Sequence, residues 1–170
     1  MVQINNRFFW LLGALFLLPT LIAFPAQQHK TIEIKNVVFD LTGVLFEKAG
    51  VGQRTVNHQM VKLVKQLKHN GNKVFVLSNT PKGVAEKLLV SHDFFSVFDG
   101  IMFSYQVKVK KPNPQVYSIF FERFGLTPET CFFVDDEVPN VLAAEKLGMP
   151  SVLFCSYDDL IKELKTHKIL

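Results

Sequence analysis

The feature that most constrains the fold is a regular alternation of short apolar runs with helix-like segments. Five runs rich in Val, Ile, Leu and Phe are typical of buried strands: residues 37–39, 74–77, 101–103, 131–134 and 152–154. After each run, apolar residues recur at helical spacing, around 60–67, 84–89, 116–124, 141–147 and 160–164. We therefore predict an α/β fold, a doubly wound, Rossmann-like parallel sheet of about five strands with helices on both faces.

The N-terminal segment differs from the rest of the chain. Residues 8–24 carry no charge, and Arg7 precedes them. Such a run predicts an N-terminal hydrophobic helix, typical of a secretory signal peptide or an uncleaved membrane anchor, with a buried amphipathic helix as the alternative. We assign residues 1–30 to a signal peptide or N-terminal membrane anchor and residues 31–170 to a single domain. This predicts membrane association or export to an extracytoplasmic compartment. A membrane anchor would also allow the domain to lie on the cytoplasmic face.

Composition and charge exclude several classes of protein. The 170 residues include 48% hydrophobic residues, which excludes global disorder. Lys and Arg outnumber Asp and Glu by 19 to 15, but no block of five or more basic residues occurs, so no nucleic-acid partner is expected. The two cysteines, Cys131 and Cys155, fall at opposite ends of predicted neighbouring strands, where a disulfide is not expected.

Ligands of doubly wound sheets bind beyond the carboxyl ends of the strands. Polar residues follow four of the predicted strands: Asp40, then Ser78 and Asn79, then Ser104, and then Asp135 and Asp136. Taken singly, Asp40 or the Ser78–Asn79 pair is equally well explained as a helix cap or turn residue. Their convergence on one edge of a sheet indicates a binding or catalytic site.

Two further patterns add charge to this edge. Asp135 and Asp136 are adjacent carboxylates that resist joint ionisation without a cation, and hard oxygen ligands suit Mg²⁺. Asn140 lies one turn into the following helix and can orient them. Lys110 and Lys111 offer compact charges that pair with phosphate, although a lone lysine pair is usually solvated.

Four segments in this order resemble the motifs of the haloacid dehalogenase (HAD) superfamily. They are residues 37–44, 76–80, 110–114 and 133–149, and the resemblance spans residues 36–155. It implies a Mg²⁺-dependent phosphohydrolase or phosphotransferase of the phosphatase type (EC 3.1.3 class), acting on a phosphorylated substrate. The paired acids Asp135 and Asp136 favour this chemistry over the dehalogenase branch, which works without metal.

The resemblance also implies roles for individual residues at the metal. Asp40 would be the nucleophile that forms an aspartyl-phosphate and would also bind Mg²⁺. The backbone carbonyl of Thr42 and the carboxylate of Asp136 would complete the protein's share of the metal site. Asp135 and Asn140 would support them.

The same resemblance implies the phosphate contacts. Ser78, with Asn79 beside it, would hold the transferring phosphoryl group. Lys111 matches the motif lysine, which neutralises Asp40 and the phosphate, and Lys110 is the less favoured of the two. Catalysis of this kind depends mainly on positioning and charge stabilisation.

Thr42 departs from the family's usual pattern. Phosphatases of this family carry an acid two residues after the nucleophile, which protonates the leaving alkoxide and then deprotonates water. Threonine does neither at neutral pH, and such help contributes about 10²–10⁴-fold. The sequence therefore predicts a slow hydrolase, a phosphotransferase, or an enzyme that prefers acyl or aryl phosphates. The alternative is a catalytically weakened HAD-fold binding protein at a membrane.

The chain also lacks room for a cap domain. Only 37 residues separate Asp40 from Ser78, one predicted helix uses most of them, and residues 46–55 form at most a flap. Because caps exclude water and select substrates, an open site suits a bulky or macromolecular substrate, or closure by a partner subunit in an oligomer. An N-terminal anchor would make a membrane-adjacent substrate plausible.

Overall fold

The computed structural model describes residues 32–48 and 54–170, and these follow the predicted alternation of strands and helices. Their strands are β1 (Asn36–Phe39), β2 (Phe46–Lys48), β3 (Arg54–Val56), β4 (Lys73–Ser78), β5 (Gly100–Phe103), β6 (Cys131–Asp135) and β7 (Ser151–Leu153). Five of them form a parallel sheet in the order β5-β4-β1-β6-β7. The predicted α/β fold with about five parallel strands is confirmed.

Helices cover both faces of this sheet. They are α1 (His58–His69), α2 (Lys82–Ser91), α3 (Ser104–Val107), α4 (Pro114–Phe124), α5 (Val138–Lys146) and α6 (Tyr157–Thr166). Short 3-10 helices occupy Asp93–Val97 and Pro128–Thr130. Successive residues of β1 point to opposite faces. Val37 and Phe39 therefore pack with α1, α2 and α6, whereas Val38 packs with α4 and α5.

The insertion after β1 is small. Strands β2 and β3 pair antiparallel as a separate two-stranded sheet. Apart from this hairpin and α1, the described residues form no further helix or strand between β1 and β4. The predicted flap at residues 46–55 thus begins with β2 and ends within β3, and these two strands pair as a β-hairpin.

Local sequence signals fix the start and end of α4, the helix that follows Lys111. The side chain of Asn113 accepts a hydrogen bond from the backbone N–H of Gln115, and Pro114 occupies the first turn. Gly125 ends the helix in the left-handed conformation, at φ 63°. These caps fix where the loop carrying Lys111 joins the helix.

The predicted hydrophobic helix and membrane segment at residues 8–24 lie outside the described residues, and so do the predictions for residues 1–30 that rest on them. Residues 31–170 form one compact unit. Among the residues the structure describes, every helix is too short or too polar to cross a membrane.

Candidate active site

The strand order brings three polar strand ends together. Strand β1 lies between β4 and β6, with Phe39 in register with Val76 and Val134. Their carboxyl ends meet at a cavity of about 150 Å³. Seven of the predicted site residues line it: Asp40, Thr42, Ser78, Asn79, Lys111, Asp136 and Asn140. Asp135 is fully buried behind them. Ser104, the other polar residue at a strand end, starts α3 and does not line this cavity.

Lys111 connects the strand ends at the floor of the cavity. Its Nζ donates to Asp40 Oδ1 at 2.6 Å, to Asp135 Oδ2 at 2.6 Å and to the carbonyl of Leu77 at 2.8 Å. These three acceptors satisfy all three protons of the ammonium group. Its side chain is fully buried, and Nζ lies 5.2 Å from the centre of the Phe133 ring. Lys110 is exposed, so the structure favours the same lysine as the motif does.

Burial and charge act in opposite directions on these groups. Burial alone would lower the pKa of Lys111, but the negative charges of Asp40 and Asp135 raise it above its usual value. Burial raises the pKa of Asp40 despite the opposing effect of Lys111, and the neighbouring charges of Asp135 and Asp136 raise it further. Lys111 thus stays charged, while burial and the neighbouring carboxylates together outweigh its effect on the pKa of Asp40.

Asp135 holds other residues in place. Its Oδ1 accepts hydrogen bonds from the backbone N–H of Glu137 at 2.8 Å and from Asn140 Nδ2 at 3.0 Å. Its Oδ2 accepts from Lys111 and, at 3.1 Å, again from Asn140. The hydroxyl of Tyr117 donates to the carbonyl of Asn140 at 2.8 Å and fixes the start of α5. Both carboxylate oxygens of Asp135 are occupied, which fits the supporting role predicted for it.

Asn79 has a contact that the sequence did not predict. Its Oδ1 accepts from the backbone N–H of Lys111, and its Nδ2 donates to the carbonyl of the same residue, both at 3.0 Å. This two-point clamp holds the loop that carries the buried ammonium group. Asn79 is therefore a positioning residue for Lys111, and the phosphate contact predicted for it stays a prediction.

Three hydroxyl groups form a row along the cavity. Ser78 Oγ lies 3.0 Å from Thr80 Oγ1, which in turn lies 3.5 Å from Thr42 Oγ1. Ser78 and Thr80 are buried. The row links the predicted phosphate-binding serine to the residue that stands where an acid is usual in the family.

The turn after Asp40 contains Thr42, which lines the cavity. The backbone hydrogen bonds of this turn are accepted by the carbonyls of Leu41 and Phe46. Among the described residues, no backbone N–H donates to the Thr42 carbonyl. Gly43 has a φ of 96°, and a Cβ atom there would overlap the carboxylate of Asp136. The missing side chain thus lets Asp136 lie directly against this turn.

These oxygen atoms fit a divalent metal ion such as Mg²⁺. Two carboxylates, from Asp40 and Asp136, and the carbonyl of Thr42 are the hard ligands that Mg²⁺ accepts alongside water and phosphate. The ammonium of Lys48 pairs with Asp136, so this carboxylate already attracts a positive charge. In the described part of the chain, no three His, Cys, Asp or Glu side chains form a metal cluster. The expected protein ligands include only two such side chains.

Sequence reasoning missed four polar residues that line the cavity: Lys48, Arg54, Thr80 and Glu137. Thr80 and Glu137 lie inside two motifs that carry the resemblance, and their position beside assigned residues was the available signal. Lys48 and Arg54 meet only because β2 pairs with β3. No sequence pattern specifies that register.

Comparisons with known proteins agree with the motifs. The family model of the haloacid dehalogenase-like hydrolases matches residues 48–148. The chain is 31% identical over 91 residues to a sesquiterpene phosphatase (astK) of Aspergillus oryzae, covering 54% of this chain and 46% of that protein. It is 30% identical over 128 residues to a phosphoglycolate phosphatase of Photorhabdus laumondii, covering 75% and 52%. The chain therefore spans about half the length of these relatives.

A solved structure gives the same picture of the fold. A HAD family enzyme of Bacteroides thetaiotaomicron, crystallised with magnesium and inorganic phosphate, superposes with a TM-score of 0.65. It is 18% identical, and the match covers 75% of this chain and 99% of that one. The family model matches more than half of the chain, and the motif order and the fold agree with it. The chain belongs to the haloacid dehalogenase-like hydrolases.

Proposed function

We propose that the protein is a Mg²⁺-dependent phosphohydrolase that acts through an aspartyl-phosphate on Asp40. The observation that carries this proposal is the buried bridge in which Lys111 binds Asp40 and Asp135 at 2.6 Å each. A lysine with no exposed side-chain surface, fixed against a carboxylate at a cavity floor, suits stabilisation of charge on a transferring phosphoryl group.

Asp40 has one oxygen available for attack. Lys111 binds Oδ1, while Oδ2 accepts no hydrogen bond from the described residues. Oδ2 attacks the phosphorus atom, and the bond from phosphorus to the leaving oxygen breaks. Water then hydrolyses the acyl phosphate, which releases inorganic phosphate and restores Asp40. Ser78 binds the phosphoryl oxygens during both steps.

Asp40, Asp136 and the Thr42 carbonyl would hold the Mg²⁺ ion. Bound there, the ion would neutralise negative charge on the phosphoryl group. A cation there would also favour the ionised form of Asp40, whose pKa is raised by burial and by the charges of Asp135 and Asp136. In that state the Lys48 ammonium is free to leave Asp136.

Thr42 sets the expected substrate preference and speed. Its hydroxyl lies near Thr80 and offers no acid or base at neutral pH. Leaving groups that need no proton are therefore favoured, as in acyl and aryl phosphates. The related phosphatases of Aspergillus oryzae and Photorhabdus laumondii support phosphate ester chemistry in general.

A thermal-stability experiment separates this function from a binding role without phosphoryl transfer. Beryllium fluoride mimics a phosphoryl group on a carboxylate. With Mg²⁺ it should raise the melting temperature of the wild-type chain, and the rise should vanish in Asp40→Asn. Glu129→Gln, on a 3-10 helix outside the cavity, serves as the matched control and should keep the rise. No rise in the wild type would contradict the proposal.

A further inference from the structure

Two cations face each other on the β2–β3 hairpin. Lys48 and Arg54 are directly opposite in the antiparallel pair, and both line the cavity. Opposite residues of such a pair share one face, with Cβ atoms about 5 Å apart, and like charges there destabilise the pair. Negatively charged groups on the cavity side would therefore relieve the repulsion between Lys48 and Arg54.

Within the described part of the chain, an anion faces only one of the two. Lys48 pairs with the carboxylate of Asp136. Among residues 32–48 and 54–170, Arg54 takes part in no ion pair. Its Nε is buried and has no hydrogen-bond partner among these same residues. A buried donor on a charged group is costly when left without an acceptor.

Arg54 also approaches the cavity from a different element than the groups proposed to hold the transferring phosphoryl group. Asp40 and Ser78 come from strand ends, and Lys111 is held at the floor by three acceptors. A guanidinium group forms two parallel hydrogen bonds with a carboxylate or a phosphate, and it stays charged at any physiological pH.

We propose that Arg54 binds a second anionic group of the substrate, a carboxylate or a second phosphate, beyond the phosphoryl group held at Asp40. This inference rests on the proposed function and narrows its substrate class. The substrate is then a phosphorylated carboxylic acid or an organic diphosphate, and Arg54 determines specificity for it.

Binding of three small probes to the full chain in Mg²⁺ tests the proposal. Inorganic phosphate carries one oxyanion group, phosphonoacetate adds a carboxylate, and inorganic diphosphate adds a second phosphate. Calorimetry gives the dissociation constant of each. Arg54→Gln should weaken phosphonoacetate, diphosphate or both by about tenfold or more and leave phosphate within about twofold. Arg54→Lys should recover part of the loss.

Arg123→Gln is the matched control. Arg123 lies on α4, donates to Gln106 and does not line the cavity, so its loss should change the binding of no probe. A loss confined to phosphonoacetate identifies a phosphorylated acid, and a loss confined to diphosphate identifies a diphosphate. Equal weakening of all three probes, or no effect on either larger probe, overturns the role of Arg54. Failure of the wild type to bind phosphate contradicts the proposed function itself, and the inference falls with it.

Discussion

Lys111 Nζ lies 2.6 Å from Asp40 Oδ1, and both side chains are buried at the junction of three parallel strands. The same ammonium binds Asp135, so a single cation joins two carboxylates from neighbouring strand ends. The relationship makes Lys111 both a structural and a chemical centre of the site.

Removal of this cation should destabilise the fold. Lys111→Met keeps the length of the side chain and leaves Asp40 and Asp135 buried without their partner, which we expect to cost about 3–5 kcal/mol in the free energy of unfolding. Lys110→Met is the matched control. Lys110 is the exposed neighbour of Lys111, so its substitution should change the free energy of unfolding by less than about 0.5 kcal/mol. Urea denaturation measures both. Equal stability of the two variants would refute the structural role of the bridge.

A methyl group at Gly43 should weaken Mg²⁺ binding more than it lowers the stability of the fold. Both Gly43→Ala and Gly71→Ala place a side chain at positive φ, which costs about 1–2 kcal/mol. Only at Gly43 does the added Cβ meet the Asp136 carboxylate; at Gly71 it meets nothing within 4 Å. We expect Gly43→Ala to weaken Mg²⁺ binding by about tenfold or more. Calorimetric titration with Mg²⁺ checks this, and equal affinities in the two variants would argue against Asp136 as a ligand.

An acid at position 42 should speed hydrolysis of alkyl phosphates. Thr42→Asp introduces a group that can protonate the leaving oxygen, with a gain of up to about 10²–10⁴-fold. Thr42→Asn introduces a side chain of the same shape as aspartate that has no titratable proton, so it should give no such gain. Initial rates with an alkyl and an aryl phosphate separate the effects, since the aryl ester should gain less. An unchanged alkyl rate in Thr42→Asp would rule out Thr42 as the cause of slow turnover.

The two cysteines should differ sharply in reactivity. Burial raises the pKa of the Cys131 thiol to about 11, whereas Cys155 is exposed. At pH 8 about one Cys131 thiol in a thousand is then ionised, and only the thiolate reacts. A maleimide should label the native chain once, and Cys155→Ser should abolish the label while Cys131→Ser keeps it. Mass spectrometry counts the labels, and rapid double labelling would contradict the buried position of Cys131.

The sequence predicts the strand ends well because their signals are local. Each buried strand is a continuous apolar run, and the first polar residue after it is read directly, as at Asp40 and Asp135. The parallel arrangement then brings these residues to one edge. The chain's membership of the HAD-like hydrolases follows from the same residues.

The other contacts of the site depend on tertiary structure. Asn79 clamps the backbone of a residue 32 positions away, and Arg54 meets Lys48 through strand pairing. The contact between Gly43 and Asp136 requires two loops to approach closely. None of these pairs has a spacing or periodicity in the sequence that marks it. Ser104 gives the opposite case, since it also follows a strand but does not line the cavity.

The most direct test of the account is formation of a phosphoenzyme on Asp40. The full chain is incubated with radiolabelled acetyl phosphate and Mg²⁺, quenched in acid, and examined for label that hydroxylamine removes. We expect labelled wild-type protein and no label in Asp40→Asn, with label that persists longer in the wild type than in Thr42→Asp. Label that remains in Asp40→Asn, or a wild type that neither carries label nor releases phosphate, would contradict the account.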